Sequence, residues 1–187
     1  MEVLPTALPG VVEFRPRVFG DERGFFLESF NGRRYAEAGV PDAFVQDNLS
    51  RSARGVLRGL HYQHPEAQGK LVQVLEGTVF DVAVDIRHGS PTFGRWVGVE
   101  LRAPVVNQLW IPPGFAHGFC VTSDSALFLY KCTAYYDPGG DFSLRWDDPQ
   151  LGIDWPVAEP VLSAKDGAAP TLAEMPPEHL PFHTGGR

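Results

Sequence analysis

Between residues 78 and 86 the chain alternates without a break. Thr78, Phe80, Val82, Val84 and Ile86 fall on one face of an extended strand, and Val79, Asp81, Ala83 and Asp85 on the other. Rich in valine and other β-branched or aromatic residues, this stretch reads as strand and commits its surroundings to sheet. Further strand-like runs cover residues 11–19 (broken by Pro16), 25–30, 44–48, 55–63, 95–101, 106–111, 118–122 and 126–136. Residues 70–75 and 78–86 read as the arms of a hairpin turning through Glu76 and Gly77. A short helix is expected after Asn31, over residues 32–38, closed by Gly39 and Pro41.

The 20 glycines and 17 prolines are spread along the chain, as turns between short strands require. Many short strands with almost no helix predict an all-β sandwich or barrel. The 187 residues fit one domain, residues 1–187, with a proline-rich tail from about residue 156 wrapping the barrel. At most a turn or two of helix is expected in that tail, near Ala173.

Charge and cysteine usage narrow the function. A net charge of −7 disfavours a nucleic-acid partner, which needs a basic face. A phosphate ligand would have to be held by a few local cations. Cys120 and Cys132 sit in apolar runs without metal spacing, which fits reduced thiols. The start, MEVLPTALPG, has neither a basic region nor an apolar run, and no apolar stretch approaches the ~18 residues of a membrane span. A cytoplasmic protein without a membrane partner is expected.

Pro112-Pro113-Gly114-Phe115-Ala116-His117 has the form of the later metal-binding turn of a cupin barrel. The earlier element of such a site would place two histidines two residues apart, followed by a glutamate. Here His61 takes the first slot, but Gln63 fills the second and His64 comes one residue late. Too few ligands remain for a metal centre, so no metal is expected. A weak site using Glu66 or His64 is the alternative.

In Arg58-Gly59-Leu60-His61-Tyr62-Gln63, strict alternation puts Arg58 and His61 on opposite faces. Either Arg58 faces away from His61, or Gly59 hosts a bulge that re-aims one of them. Lys70, opening a strand, is either a solvated lysine or a cation in a barrel mouth able to stabilise an oxyanion. Tyr130 and Tyr136 share a face of the 126–136 run. Six residues of extended chain separate them by ~20 Å, so one should sit near a ligand ring and the other near the rim.

The stretches FGDERGFFLESF, QDNLSRS, VLRGLHYQ, GKLVQVLEGTVFDVAVDIR, SPTFGRWVGVEL, LWIPPGFAHGF, FLYKCTAYYDP and LSAKD follow one another from about Phe14 to Asp166. In content and order they resemble the dTDP-4-dehydrorhamnose 3,5-epimerase family. The resemblance implies a homodimeric double-stranded β-helix, the cupin-like jelly roll, with short peripheral helices. It implies dTDP-4-keto-6-deoxyglucose as substrate and no cofactor.

It also implies roles. His61 matches the general base, oriented by Asp166. Lys70 matches the residue supporting the enolate, and Tyr130 the general acid on the opposite face of the sugar. Tyr136 matches a second aromatic of the sugar pocket. Arg23, Phe26, Glu28, Gln46, Asn48, Arg58 and His117 match positions that hold the nucleotide, some of them from the neighbouring subunit. Leu49 departs from the family pattern, standing where a polar residue is common.

Those residue types suit epimerisation beside a ketone. An imidazole titrates near neutral pH and suits proton transfer. A carboxylate on its far nitrogen fixes the tautomer. An ammonium in a low-dielectric barrel stabilises an enolate, and a phenol stays protonated until it is needed. No G-x-G-x-x-G fingerprint points to a nicotinamide route. Three rivals remain at this level: a mono-epimerase acting at carbon 3 or carbon 5 alone, a metal-dependent cupin, and a sugar-binding cupin without catalysis. Deuterium uptake separates the first and last from a double epimerase, and metal analysis tests the second.

Overall fold

The alternating segment becomes the strand β8 (Thr78–Asp85), and both of its faces are buried. A computed structural model of the chain describes residues 1–41 and 43–183. β8 belongs to a five-stranded sheet in the order β13 (Asp141–Ser143), β6 (Leu57–Gln63), β11 (Phe115–Val121), β8 and β9 (Trp96–Arg102). A six-stranded sheet packs against it, in the order β1 (Glu2–Pro5), β2 (Val12–Arg15), β10 (Gln108–Ile111), β7 (Lys70–Glu76), β12 (Ser125–Cys132) and β5 (Gln46–Ala53). All pairings are antiparallel, as in a double-stranded β-helix of the cupin type. A two-stranded ribbon, β3 (Val18–Asp21) and β4 (Gly24–Leu27), stands apart from both sheets.

The two faces of β8 serve two cores. Val79 and Ala83 point between the sheets, where they meet Val72 and Val74 of β7, Leu109, Phe119 and Phe128. Val82 and Val84 point outward and are covered by Leu172, Met175 and Leu180 from the C-terminal segment. Each such aliphatic or aromatic side chain contributes about 1.5–3 kcal/mol by leaving water. That is why a strand near the middle of its sheet can spend every side chain on packing. The C-terminal segment lies over the outer face of the five-stranded sheet. It contains α2 (Ala164–Gly167) and two turns of 3-10 helix at Leu172–Glu174 and Pro177–His179. No helix among the described residues is long and apolar enough to cross a membrane.

Several local expectations are corrected. β7 and β8 are not arms of a hairpin. β7 pairs with β10 and β12, whereas β8 pairs with β11 and β9. Gly77 (φ +81°) turns the chain from one sheet into the other, where an added Cβ would meet the Ser125 carbonyl oxygen. The corner pays off in packing, because Val72 and Val74 then face Val79 and Ala83 across the core. The run at 44–48 becomes β5, shifted onto residues 46–53 by its ladder with β12. The run at 126–136 stops at Cys132, so Tyr136 does not lie on the strand that carries Tyr130. Helix α1 (Gly32–Ala36) is shorter than expected but carries the anticipated Asn31 cap. α2, only four residues long, had no helical period to reveal it.

Candidate active site

Between the sheets lies a cavity of about 320 Å³ lined by Asn48, Leu49, Ser50, Arg58, His61, Lys70, His117, Phe119, Phe128 and Tyr130. Residues far apart in sequence meet there because β6 and β11 belong to one sheet, and β5, β7 and β12 to the other.

Both Arg58 and His61 line the cavity, so the register question is answered by a bulge. β11 pairs His117 with His61 and Phe119 with Arg58, which leaves one extra residue on β6 between them. Gly59 absorbs it with φ +128°, in a region that only glycine enters readily. A Cβ at Gly59 would stand 2.5 Å from Gly118 Cα and 2.8 Å from the His117 carbonyl oxygen. Leu57, Leu60 and Tyr62 turn outward into the second core, freeing Arg58 and His61 to face in.

His61 Nε2 donates to Asp166 Oδ1 at 2.5 Å. The Asp166 side chain is only 4% exposed, against 34% for His61, so the carboxylate backs an imidazole that solvent can still reach. Ser163 caps α2: its hydroxyl donates to Asp166 Oδ2 (2.8 Å) and accepts from the Asp166 N–H (3.1 Å). Burial alone would raise the pKa of Asp166. The hydrogen bonds from His61 and Ser163, with the charges of His61 and Lys165, overcome it and hold the carboxyl below its ordinary value. Asp166 is therefore ionised at neutral pH and purely an acceptor.

Lys70 opens β7 on the opposite sheet and is buried. Burial pushes its pKa down, while Cys132, Asp141 and Asp81 oppose the shift. His117 sits across the ladder from His61, with its Nε2 at 2.9 and 3.1 Å from the two carboxylate oxygens of Asp81. Burial lowers the pKa of His117 and raises that of Asp81, and their mutual attraction works against both shifts. Tyr130 lines the wall formed with Phe128, their ring centroids 6.0 Å apart. Burial raises the pKa of its phenol, followed by Cys132, with Arg58 pulling the other way. A raised phenol remains a proton donor at neutral pH.

Four of the residues singled out in the sequence are thus brought together directly: His61, Asp166, Lys70 and Tyr130. Asn48, Arg58 and His117 join them in the cavity wall. Arg58 Nε donates to Ser52 Oγ (3.1 Å), and Asn48 Nδ2 lies 3.6 Å from Cys132 Sγ. Gln46 stands just outside, donating to Asn48 Oδ1 (3.0 Å) and accepting from the Tyr136 N–H (2.9 Å). Tyr136 is 54% exposed and on the rim, with its hydroxyl donating to Asp141 Oδ2 at 3.0 Å.

Arg23, Phe26 and Glu28 are not brought to this cavity. Arg23 and Phe26 lie on or beside the β3–β4 ribbon and line a separate shallow concavity with Phe19, Asp21, Gly24 and Phe25. Arg23 is paired with Asp21, and Glu28 with Arg34 at 2.9 Å. The slot in which a cupin would carry its second histidine holds Gln63, whose amide is spent on backbone groups. Among the described residues, no three His, Cys, Asp or Glu side chains gather as metal ligands do.

Sequence reasoning did not identify Asp81 and Ser163 as parts of the site. Asp81 had a signal: with Asp85 it is one of two carboxylates on the Val79 and Ala83 face of a largely apolar strand. A charge at such a position is almost always paired. Ser163, three residues before Asp166, has the spacing of a cap, but a four-residue helix offers nothing else to flag it.

Known proteins resemble this chain in sequence and fold. The family model described as dTDP-4-dehydrorhamnose 3,5-epimerase matches residues 5–174. The dTDP-4-dehydrorhamnose 3,5-epimerase of Pseudomonas aeruginosa is 57% identical over 176 residues, covering 93% of this chain and 97% of its own. The dTDP-4-dehydrorhamnose 3-epimerase of Streptomyces niveus is 43% identical, over 93% of this chain and 85% of its own. A crystal structure of the dTDP-6-deoxy-D-glucose-3,5-epimerase of Legionella pneumophila, in complex with dTDP-4-keto-L-rhamnose, superposes with a TM-score of 0.96. It is 55% identical and covers 98% of this chain and 99% of that one.

Proposed function

The chain belongs to the dTDP-4-dehydrorhamnose 3,5-epimerase family and is an isomerase, and on that premise we propose that it inverts carbons 3 and 5 of dTDP-4-keto-6-deoxyglucose to give dTDP-4-keto-L-rhamnose. The observation that carries the reading is the convergence, in one cavity, of a carboxylate-backed histidine, a buried lysine and a phenol from two opposed sheets. Base, enolate holder and acid are what inversion beside a ketone requires.

Because Asp166 accepts from Nε2 of His61, Nδ1 is the ring atom left with a lone pair. It takes the proton from the carbon next to the ketone. The electron pair of that C–H bond moves into the ring, and the ketone oxygen becomes an enolate oxygen. The Lys70 ammonium stabilises this oxygen in a site where burial strengthens the attraction. Asp166 stabilises the imidazolium that results. Tyr130 then gives its proton to the same carbon from the other face, and the carbonyl is restored. One proton is taken and one returned, so the route balances without an oxidant or reductant. Solvent then resets His61 and Tyr130. The step repeats at the second carbon.

Arg58, Asn48 and His117 are proposed to hold the nucleotide sugar within the cavity. Arg23, Phe26 and Glu28 stand away from their own chain's cavity. We read them as serving the cavity of a second copy, with the exposed ring of Phe26 offered to the base and Arg23 to the diphosphate. A homodimer follows, and sedimentation of the pure protein as a monomer would remove this part of the reading. The buried free thiols of Cys120 and Cys132 suit a reduced cytoplasmic setting.

The decisive experiment incubates the enzyme with the 4-keto sugar nucleotide in deuterated water and reads the sugar by NMR, with and without a reductase that traps the product. Deuterium is expected at both carbon 3 and carbon 5. Uptake at one carbon alone would make the chain a mono-epimerase, as the Streptomyces niveus relative is named. Uptake at neither would overturn the assignment.

A further inference from the structure

Gln63 lies two residues beyond His61 on β6, is 5% exposed, and does not line the cavity. Its side-chain amide is nevertheless fully occupied. Nε2 donates to the carbonyls of Glu66 (2.6 Å) and Tyr135 (3.0 Å), and Oε1 accepts from the Asp137 N–H (2.9 Å). Two of these partners flank Tyr136, so Gln63 grips the rim segment on both sides of that residue.

From Tyr136 the connection continues. Its hydroxyl donates to Asp141 Oδ2 at 3.0 Å, and the same oxygen accepts from Lys165 Nζ at 2.6 Å. Lys165 precedes Asp166 in α2, and Asp166 holds His61. The circuit therefore closes on itself. It runs along β6 from His61 to Gln63, through the rim segment to Asp141, across to α2, and back to His61.

We propose that Gln63 is a positioning residue, which holds the rim segment 134–137, and through Tyr136 and Asp141 the α2 turn, in fixed relation to His61. Its consequence for catalysis rests on the function proposed above. Three backbone groups captured by one buried amide cost little ordering entropy per bond, because the strand already fixes the side chain's origin. The flanks of the segment have anchors of their own: Gln68 Nε2 donates to the Ala134 carbonyl (2.9 Å), and the His64 N–H to the Gly140 carbonyl (3.0 Å). Within it Gln46 Oε1 still accepts from the Tyr136 N–H (2.9 Å), so loss of Gln63 loosens the stretch on both sides of Tyr136 without detaching the loop. A small displacement of a reacting group costs up to about a hundredfold in rate, so such loosening is visible in turnover.

The test replaces Gln63 with Met, of similar size but without the amide, and with Glu, which keeps the acceptor for Asp137 and loses both donors. Backbone amide hydrogen exchange across residues 133–141 is read by mass spectrometry in the substrate-free full chain. At least tenfold faster exchange is expected there for Gln63→Met, with β8 and β11 unchanged. Gln63→Glu is expected to speed exchange at 134–136 and to spare the Asp137 amide. In turnover, kcat/KM for the sugar nucleotide is expected to fall roughly ten- to a hundredfold in Gln63→Met. Adding Tyr136→Phe to that variant is expected to cost much less than it does in the parent, because the two act along one path.

Unchanged exchange over 133–141 would overturn the proposal. So would an equal rise in β8 and β11, which would mark Gln63 as a general stabiliser, and so would full additivity with Tyr136→Phe. If the parent protein epimerises nothing, the function proposed above is wrong, and the exchange measurement still decides whether Gln63 positions the rim.

Discussion

Replacing His61 with glutamine is expected to slow epimerisation by roughly two to four orders of magnitude while leaving dTDP affinity nearly unchanged. The choice of glutamine follows from the geometry. Asp166 is almost wholly buried and accepts from His61 at 2.5 Å. Alanine would strand that carboxylate and cost about 3–5 kcal/mol. The glutamine amide nitrogen reaches about where Nε2 stood and can still donate to Asp166 Oδ1, but the amide has no lone pair basic enough to take a proton from carbon. Fold and pocket are therefore retained and the base alone is lost. The measurements are steady-state turnover, dTDP titration and a thermal melt on the same preparation. Near-normal turnover in a folded variant would show that another group is the base. Lost dTDP binding would show that His61 belongs to recognition instead.

The sequence pointed to His61 as the candidate base through the order of its motifs rather than through any property of the residue itself. A strand histidine is most often structural, and strict alternation even turned it away from Arg58. The two were reconciled by Gly59, whose bulge the sequence allowed but could not choose, because the choice is made by the backbone of Gly118 on the next strand. The all-β architecture was legible because short runs rich in β-branched and aromatic residues recur between glycine and proline turns, and β8, packed between two apolar regions, is one of them.

What escaped has a common physical cause. The turn at Gly77 reads as a hairpin locally. It becomes a corner between sheets only because β10 and β12 compete successfully for β7. Tyr136 reads as strand locally. It leaves the ladder because the ladder ends where β7 begins at Lys70, and Gln63 then captures the backbone on either side of it. Asp81 has a sequence position that calls for a partner but does not name it; His117, 36 residues away, is placed against it only by the fold. Local pattern gives the elements, whereas partners distant in sequence decide edges, corners and buried charges. At this site those partners also set the protonation states on which the chemistry depends.

Tyr130→Phe is expected to separate the two halves of the reaction. The substitution removes one oxygen and keeps the ring that packs 6.0 Å from Phe128, so stability should change little. Product formation is expected to fall by roughly two to four orders of magnitude, the range of a positioned acid. In the proposed mechanism proton abstraction depends on His61, Asp166 and Lys70, all of which remain. The enolate that forms can then be quenched only from the His61 face, which returns the original configuration. With 34% of its side chain exposed, His61 can trade its proton with solvent before giving it back. In deuterated water the recovered substrate should thus carry label without inversion, at a rate well above that of product formation. NMR of recovered substrate and trapped product measures both numbers in one tube. Loss of label together with product would mean that Tyr130 takes part in abstraction, and that acid and base have been set on the wrong faces of the ring. Undiminished product formation would mean that the proton arrives from another group, with solvent entering the cavity the first alternative to examine.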